Sequence, residues 1–218
     1  YNKITNVVEA KGKVKVEDVV NNYVIFSDKA TYKKNEEIIF TEGNSKGIDD
    51  KNRTITSDKI KYNKITNIVE AEGKVKVEDV VNNYVIKSEK LNYFKKTNKI
   101  VTKGFTEANI ENEYYIESQN VTYFLNTKKI SSEVKSKIKD NKNQIYFLDK
   151  FIFNVDTSLL KGENILTITN HNLPKSDKFF FLDGIFNLKD NSYTASDTKI
   201  KIHKNIFENE KNDPRIYG

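Results

Sequence analysis

The stretch that decides the fold is YNKITNVVEAKGKVKVEDVVNNYVIF at residues 1–26, because it recurs at residues 62–87 as YNKITNIVEAEGKVKVEDVVNNYVIK. Only three substitutions separate the two copies: Val7/Ile68, Lys11/Glu72 and Phe26/Lys87. A shorter spacing lies inside this duplication. Serines recur every 30 or 31 residues and a tyrosine follows each by five, giving Ser27/Tyr32, Ser57/Tyr62, Ser88/Tyr93 and Ser118/Tyr123. A repeat of about 30 residues predicts an array of stacked structural units.

Apolar residues within each unit are two positions apart. Aliphatic residues stand two positions before and three after each serine: Ile25, Ala30, Ile55, Ile60, Ile86, Leu91, Ile116 and Val121. Valines alternate with charged residues after Gly12 and Gly73, as Val14/Val16 and Val75/Val77. A period of two with β-branched residues is typical of strands that bury one face. Asparagine pairs between the runs, such as Asn21-Asn22, predict turns.

These patterns predict an all-β protein made of stacked antiparallel strands, with three or four short strands in each 30-residue unit. Residues 1–130 carry the regular repeats. Residues 131–210 continue them irregularly, because LDKFIFN at 148–154 and SDTKIKI at 196–202 match SDKIKYN at 57–63. An inserted loop is expected near residues 163–183. Residues 211–218 are expected to form a junction with a further domain.

Composition limits the functional classes. The net charge of +6 is compatible with an anionic ligand, but only two of the 37 basic residues are arginines, and 31 carboxylates are interleaved with the lysines. Such mixed faces are typical of solvated sheets, so nucleic acid is not an expected partner. The chain has no cysteine, which excludes disulfides. It begins at Tyr1 within a repeat, so we expect a processed piece of a longer protein.

Signs of catalysis are missing from the sequence. The two histidines, His171 and His203, lack metal-ligand spacing, and no phosphate loop, nucleophile elbow or HExxH motif occurs. Ser-Asp pairs such as Ser27-Asp28 and Ser57-Asp58 recur at one phase of the repeat. We interpret them as structural corners, where a side chain satisfies backbone groups at a bend. The sequence therefore predicts a protein that is not an enzyme and needs no cofactor or metal.

A stacked array that is not an enzyme could have either of two functions. If its two sheets close tightly, it is a passive structural rod. If they splay apart, the apolar columns line a groove for an acyl chain, and each buried CH2 contributes about 0.8 kcal/mol. The ends of the array are unpaired strand edges that either need protection or pair with another chain.

The repeated phrase S-D/E-K-(I/L/A)-x-Y, followed by a short turn and I-x-x-x-(A/T)-x-G-x-V-x-V, resembles the OstA-type repeat of Gram-negative lipopolysaccharide transport proteins. The chain is most similar to the periplasmic N-terminal domains of the outer-membrane lipopolysaccharide-assembly (LptD) family. The long array, the tail at 131–202 and NDPRIYG at 212–218 favour that family over the free periplasmic bridge proteins, which remain the alternative. The absence of cysteine departs from the family, whose members carry disulfides.

The resemblance implies a V-shaped β-jellyroll at the periplasmic face of the outer membrane that passes lipopolysaccharide to an outer-membrane barrel. Its implied partners are a bridge protein of the same fold, the chain's own C-terminal barrel and the lipoprotein that plugs it. The bridge protein would add a strand at the N-terminal edge, near Tyr1–Val8 or Val14–Glu17. The implied lipid-lining residues are Val14, Val16, Ile25, Tyr32, Ile39, Ile60, Tyr62, Val75, Val77, Ile86, Leu91, Tyr93, Ile100, Ile116, Val121 and Tyr123.

Overall fold

The computed structural model of the protein describes residues 2, 4–173, 175–203 and 215–217. These residues form strands and a single 3-10 turn at Lys95–Thr97. The strands are β1 (Val7–Asp18), β2 (Tyr23–Lys33), β3 (Ile38–Asp49), β4 (Thr54–Asn63), β5 (Ile68–Asp79), β6 (Tyr84–Phe94), β7 (Lys99–Ile110), β8 (Tyr114–Gln119), β9 (Thr122–Phe124), β10 (Lys129–Ser132), β11 (Ser136–Asp140), β12 (Ile145–Leu148), β13 (Lys150–Asn154), β14 (Leu159–Ile168), β15 (Lys178–Asn187), β16 (Ser192–Ser196), β17 (Lys199–Lys201) and β18 (Arg215–Tyr217). The expected all-β fold is confirmed. Of the predicted junction at 211–218, residues 211–214 and 218 lie outside the described residues, as does Tyr1.

Neighbouring strands pair antiparallel in chain order from β1 to β7. From there on, several long strands are interrupted. β7, for example, pairs with β8 along one part of its length and with β9 along the other. Within the regular repeats each 30-residue unit therefore supplies two strands of 10–12 residues. The expectation of three or four short strands was wrong, because each strand continues through a bend at its repeated Ser or Gly instead of ending there.

A shift in register marks the bend at the same place in successive strand pairs. It falls between Lys11 and Val14 in β1, and between Phe26 and Lys29 in β2. Such a bulge bends a strand and increases its twist. The Ser27 hydroxyl lies within hydrogen-bonding distance of the carbonyl oxygens of Lys29 and Glu42, at 3.0 and 2.9 Å. The Ser57 hydroxyl repeats the contact with Lys59, so the predicted structural corner is confirmed.

The bend divides each strand into two arms that face one another. We call the arm that carries Tyr23 the first arm and the arm that carries Tyr62 the second arm. The two rings are 4.9 Å apart between centroids, although they lie on β2 and β4. The same contact recurs along the array as Tyr84–Tyr123 at 5.3 Å and Tyr114–Phe153 at 4.7 Å. The core lies between the arms, and the side opposite the bends is called the mouth.

The connection between β14 and β15 is longer than the turns of the regular repeats. It spans residues 169–177 and lies at the first-arm end of the strands, inside the segment 163–183. The Asp177 carboxylate holds this connection to the segment that follows β17, because it accepts a hydrogen bond from the His203 amide at 2.8 Å and lies 2.7 Å from its Nδ1. The array therefore keeps its strand pairing through the irregular region.

The glycines at the bends provide a matched pair of substitutions. Gly73 has a φ of +79°, and an added Cβ would lie 2.4 Å from Asp58 Oδ2. Gly12 has a φ of +97° with nothing within 4 Å of such a Cβ. We expect Gly73→Ala to lower the free energy of unfolding by about 2–3 kcal/mol and Gly12→Ala by about 1 kcal/mol. Urea denaturation measures both, and equal losses would contradict the bend geometry.

Candidate functional site

The interior between the arms contains most of the predicted lining residues. Thirteen of the sixteen are at most 3% exposed: Ile25, Ile39, Ile60, Tyr62, Val75, Val77, Ile86, Leu91, Tyr93, Ile100, Ile116, Val121 and Tyr123. They belong to one continuous apolar cluster that extends through Phe151 and Phe153 to Phe181 and Phe186. These four phenylalanines were not among the predicted lining residues, although nine of the thirteen phenylalanines lie beyond residue 120 and indicate a bulkier core there.

The other three predicted residues, Val14, Val16 and Tyr32, are only partly buried because they lie at the N-terminal end of the array. Here β1 pairs with β2 on one side and has no strand along most of its other edge among the described residues. Val8 and Val69 stand at the same position of the two copies, and the missing neighbour changes their exposure: Val8 on β1 is 39% exposed, whereas Val69 on β5 is 0% exposed. The result is an apolar groove of about 330 Å³ along β1.

Polar contacts between turns close the mouth over the first repeats. The Tyr62 hydroxyl donates a hydrogen bond to Asp18 Oδ2 across the mouth at 2.9 Å. The Asn67 side-chain amide donates to Asn21 Oδ1 at 2.5 Å, and Lys95 Nζ donates to the Asn21 carbonyl at 2.7 Å. These contacts join residues more than forty positions apart and hold the two arms together. The interior is thus packed and closed in this region.

A buried arginine interrupts the aromatic column on the first arm. The column places Tyr23, Arg53, Tyr84 and Tyr114 four residues before the repeat serines, a spacing that the sequence analysis missed. Arg53 is 3% exposed, and its guanidinium lies 3.1 Å from the Asp49 carboxylate and 3.3 Å from that of Asp79. It also donates a hydrogen bond to the Tyr93 hydroxyl on the second arm. The network links three strands and crosses the mouth.

The surroundings of this network shift the pKa of its members. Burial favours the neutral acid of Asp79, but hydrogen bonds from Asn82 and the charge of Arg53 outweigh it and hold the pKa of Asp79 below its usual value. Burial raises the pKa of Tyr93. The positive charge of Arg53 lowers it and the negative charge of Asp49 raises it, and the net pKa lies above the usual value. The tyrosine therefore remains protonated and acts as a donor to Asp49, at 3.2 Å.

The C-terminal end of the array holds a second opening, which has an aromatic wall and a polar rim. A cavity of about 380 Å³ lies beyond the pair Tyr146–Phe186, whose ring centroids are 5.9 Å apart. Phe181 and Tyr193 form its aromatic wall, with ring centroids 5.0 Å apart. At its rim Lys142 Nζ donates to the Leu188 carbonyl at 2.9 Å, which joins the two arms. Among the described residues, both ends of the interior are therefore open, whereas its middle is packed.

The outer faces of the arms carry both ion pairs and exposed apolar side chains. Examples of the ion pairs are Lys61–Glu70 at 2.9 Å and Lys150–Glu163 at 2.7 Å. Among the large apolar side chains that are exposed near the C-terminal end are Phe147, Ile152, Leu182 and Ile185. Exposed apolar side chains near one end of the array are available for contact with another molecule.

Known site types do not explain this interior. Within the described ranges, no group of three or more His, Cys, Asp or Glu side chains is placed to hold a metal ion, and no helix is long and apolar enough to cross a bilayer. His203 is engaged with Asp177, as described above for the β14–β15 connection. Neither protein-family models nor curated proteins give a match to this chain. The interior and its two openings are therefore the features of the described residues that bear on function.

Replacing Arg53 tests the buried network. We expect Arg53→Leu to lower the free energy of unfolding by about 3–5 kcal/mol at pH 7, because two buried carboxylates lose their cation. The Asp79 carboxylate, whose pKa is depressed in the fold, stabilises above its unfolded value near pH 4 and ceases to do so as the pH falls through its folded pKa. The loss should thus shrink in acid. The control is the triple variant Arg53→Leu, Asp49→Asn and Asp79→Asn, which no longer buries an unpaired carboxylate and should recover part of the lost stability at pH 7. Urea denaturation at pH 7 and pH 3.5 measures the free energy of unfolding of each protein. A loss in Arg53→Leu that is equally large at both pH values would contradict the role of the two carboxylates.

Proposed function

We propose that this protein is the lipopolysaccharide-conducting domain of an outer-membrane assembly machinery, located at the periplasmic face of that membrane. It binds the acyl chains of the lipid between its arms and passes them towards an outer-membrane barrel. The observation that carries the proposal is the apolar interior, which is continuous along the array and opens at both ends. The resemblance of its repeat to the OstA type supports the same function.

Entry of a lipid requires the arms to separate at the mouth. Each cross-mouth hydrogen bond contributes only about 1 kcal/mol, because water replaces it when the arms part. An acyl chain of about twelve carbons contributes roughly 8–10 kcal/mol when it is buried. Side chains such as Ile86 and Leu91 would exchange contacts with one another for contacts with the lipid, so their burial is retained. The polar seam at the mouth then controls opening.

The ends of the array support the expected protein partners. The groove along β1 exposes apolar side chains beside an open strand edge, which suits a strand from a bridge protein of the same fold. The exposed Phe147, Ile152, Leu182 and Ile185 lie at the opposite end and suit contact with the barrel or its plug lipoprotein. The direction of transport would run from β1 towards β17.

A passive structural rod is the second candidate. The tight packing of the middle repeats favours it, because residues such as Tyr62 and Ile100 have no exposed surface at all. A rod keeps its arms closed and takes up no lipid. The two functions therefore differ in whether interior residues ever contact an acyl chain.

Photo-crosslinking separates these candidates. We expect a photoreactive residue at Ile86 or Phe181 to capture lipopolysaccharide, because both side chains face the interior. The neighbouring Lys87 and Leu182 face outwards on the same strands and serve as matched controls with at least tenfold lower capture. Immunoblots of the crosslinked protein measure the yield. Equal labelling within each pair would support the rod.

Bridging the mouth tests the route of entry. The chain has no cysteine, so Asn21→Cys and Asn67→Cys give a unique pair at a cross-mouth contact. We expect a short reducible crosslinker between them to abolish lipid capture at Ile86, because the arms can no longer part. Reduction should restore capture, and the single variants treated alike are the controls. Undiminished capture in the bridged protein would contradict opening at the mouth.

A further inference from the structure

The outer face of the first arm has an unusual composition in β11, β12, β14, β15 and β17. On these strands every second side chain points into the core, as Ile138, Tyr146 and Phe181 do, so the side chains between them point outwards. Away from the bend, and leaving aside the buried Ile145, the outward residues are Lys137, Lys139, Phe147, Leu166, Ile168, Lys178, Phe180, Lys199 and Lys201. All of them are lysines or apolar residues, and none is a carboxylate. We call this set the basic-apolar face.

The regular repeats carry a different charge pattern on the same side of the first arm. There lysines and carboxylates alternate, as in the ion pair between Lys76 and Glu78 at 2.7 Å. The pattern extends to Glu117 on β8, which pairs with Lys137 on β11 at 2.7 Å. The basic-apolar face begins at this ion pair and has no further carboxylate among its own residues. Mixed charge is typical of a solvated face, so the basic-apolar face differs from the rest of the arm.

The lysines of the basic-apolar face are not neutralised within the described residues. Lys139, Lys178 and Lys201 form no ion pair there. Lys178 also lies directly opposite Lys201 in the pairing of β15 with β17. Like charges at opposite positions destabilise a sheet, and an anion bound beside them relieves the repulsion. The face is therefore complementary in charge to an anionic surface.

The apolar residues of the face form a row between two lysines. Phe147 lies opposite Leu166, and Leu166 lies opposite Phe180, on three adjacent strands. Lys137 lies opposite Phe147 at one end of the row, and Lys199 lies opposite Phe180 at the other. Apolar rings surrounded by lysines suit the interface of a bilayer, because the rings enter the head-group region while the ammonium groups stay beside the phosphates.

We propose that the basic-apolar face docks on the surface of an anionic phospholipid bilayer. Phe147 and Phe180 enter the head-group region, and the lysines contact the lipid phosphates. A protein partner with mixed charges would leave some of these lysines unpaired. A nucleic acid would gain little from the aliphatic Leu166 and Ile168, which offer no ring for a base to stack on.

This contact goes beyond the proposed function, because it uses the outer face and no residue of the interior. It also leaves the second arm free for other contacts. Ile152 and Ile185 are exposed on that arm and remain available to the protein partners proposed above.

The first test measures binding of the purified protein to vesicles of phosphatidylcholine, alone or mixed with the anionic phosphatidylglycerol. We expect sedimentation with the anionic vesicles only. Each lysine beside an anionic surface strengthens binding about fivefold, so the double variant Lys178→Gln and Lys201→Gln should bind roughly twentyfold more weakly. The matched control is Lys76→Gln with Lys87→Gln. These two lysines also lie opposite one another on the first arm, and their removal should weaken binding about twofold at most, because their distance from the bilayer screens them.

The second test locates the contact. The chain has no tryptophan, so Phe180→Trp and Phe26→Trp each introduce a single fluorophore on the outer side of the first arm. Phe26 lies on β2 and is 41% exposed, which makes it the control. Neither phenylalanine belongs to the core, so both variants should fold. We expect anionic vesicles to shift the emission of Phe180→Trp to shorter wavelength and to leave that of Phe26→Trp unchanged.

Four results would overturn the proposal. Equal losses in the two double variants would show attraction by net charge without a defined face. Equal binding to both kinds of vesicle, or binding to neither, would exclude recognition of anionic lipid. An unchanged emission of Phe180→Trp on bound vesicles would place the contact elsewhere. Tighter binding of an oligonucleotide than of the vesicles would assign the face to nucleic acid. Lipid capture at Ile86 does not depend on this face, so failure here leaves the proposed function to its own test.

Discussion

The bend in the middle of each strand is the constraint on which the rest of the structure depends. A flat antiparallel sheet would expose its apolar columns to water on one face. The bulge between Phe26 and Lys29, with its counterparts on the other strands, folds the sheet so that each column meets another. The serine hydroxyls satisfy the carbonyl groups that the bulge removes from the ladder. One local device, repeated about every fifteen residues, thus creates a core without any helix in the described part of the chain.

The period-two pattern predicted the fold class and the burial of positions such as Ile60 and Leu91, because both follow from local alternation and from the repeat. It failed where the answer depends on distant contacts. It predicted three or four short strands in each unit, but the pairing with neighbouring strands keeps each strand continuous through its bend. The closure of the mouth depends on Asn21 and Asn67, which no local pattern connects. The sequence therefore predicts which side chains face inwards but not how far apart the arms lie.

Arg53 shows how a repeat tolerates a polar side chain in its core. The residue stands where the neighbouring units have a tyrosine, and a guanidinium brings a charge that an apolar interior cannot solvate. Asp49 and Asp79 supply compensating charges, and both aspartates belong to strand ends that recur with the repeat. Breaking such a pair costs far more than the pair itself contributes. In the proposed conduit, this network would be a polar point within an otherwise apolar interior.

Position in the array, rather than residue type, determines which apolar side chains are available for contact. Val8 and Val69 occupy the same place in nearly identical strands, yet only Val8 has exposed surface, because β5 has a neighbour on each side and β1 has one among the described residues. Every internal strand in a stacked array is satisfied by the next, so the interior can bind only at the ends and at the mouth. The duplicated strand β5 therefore adds its inward-facing valines to the core, where β4 and β6 cover them on both sides.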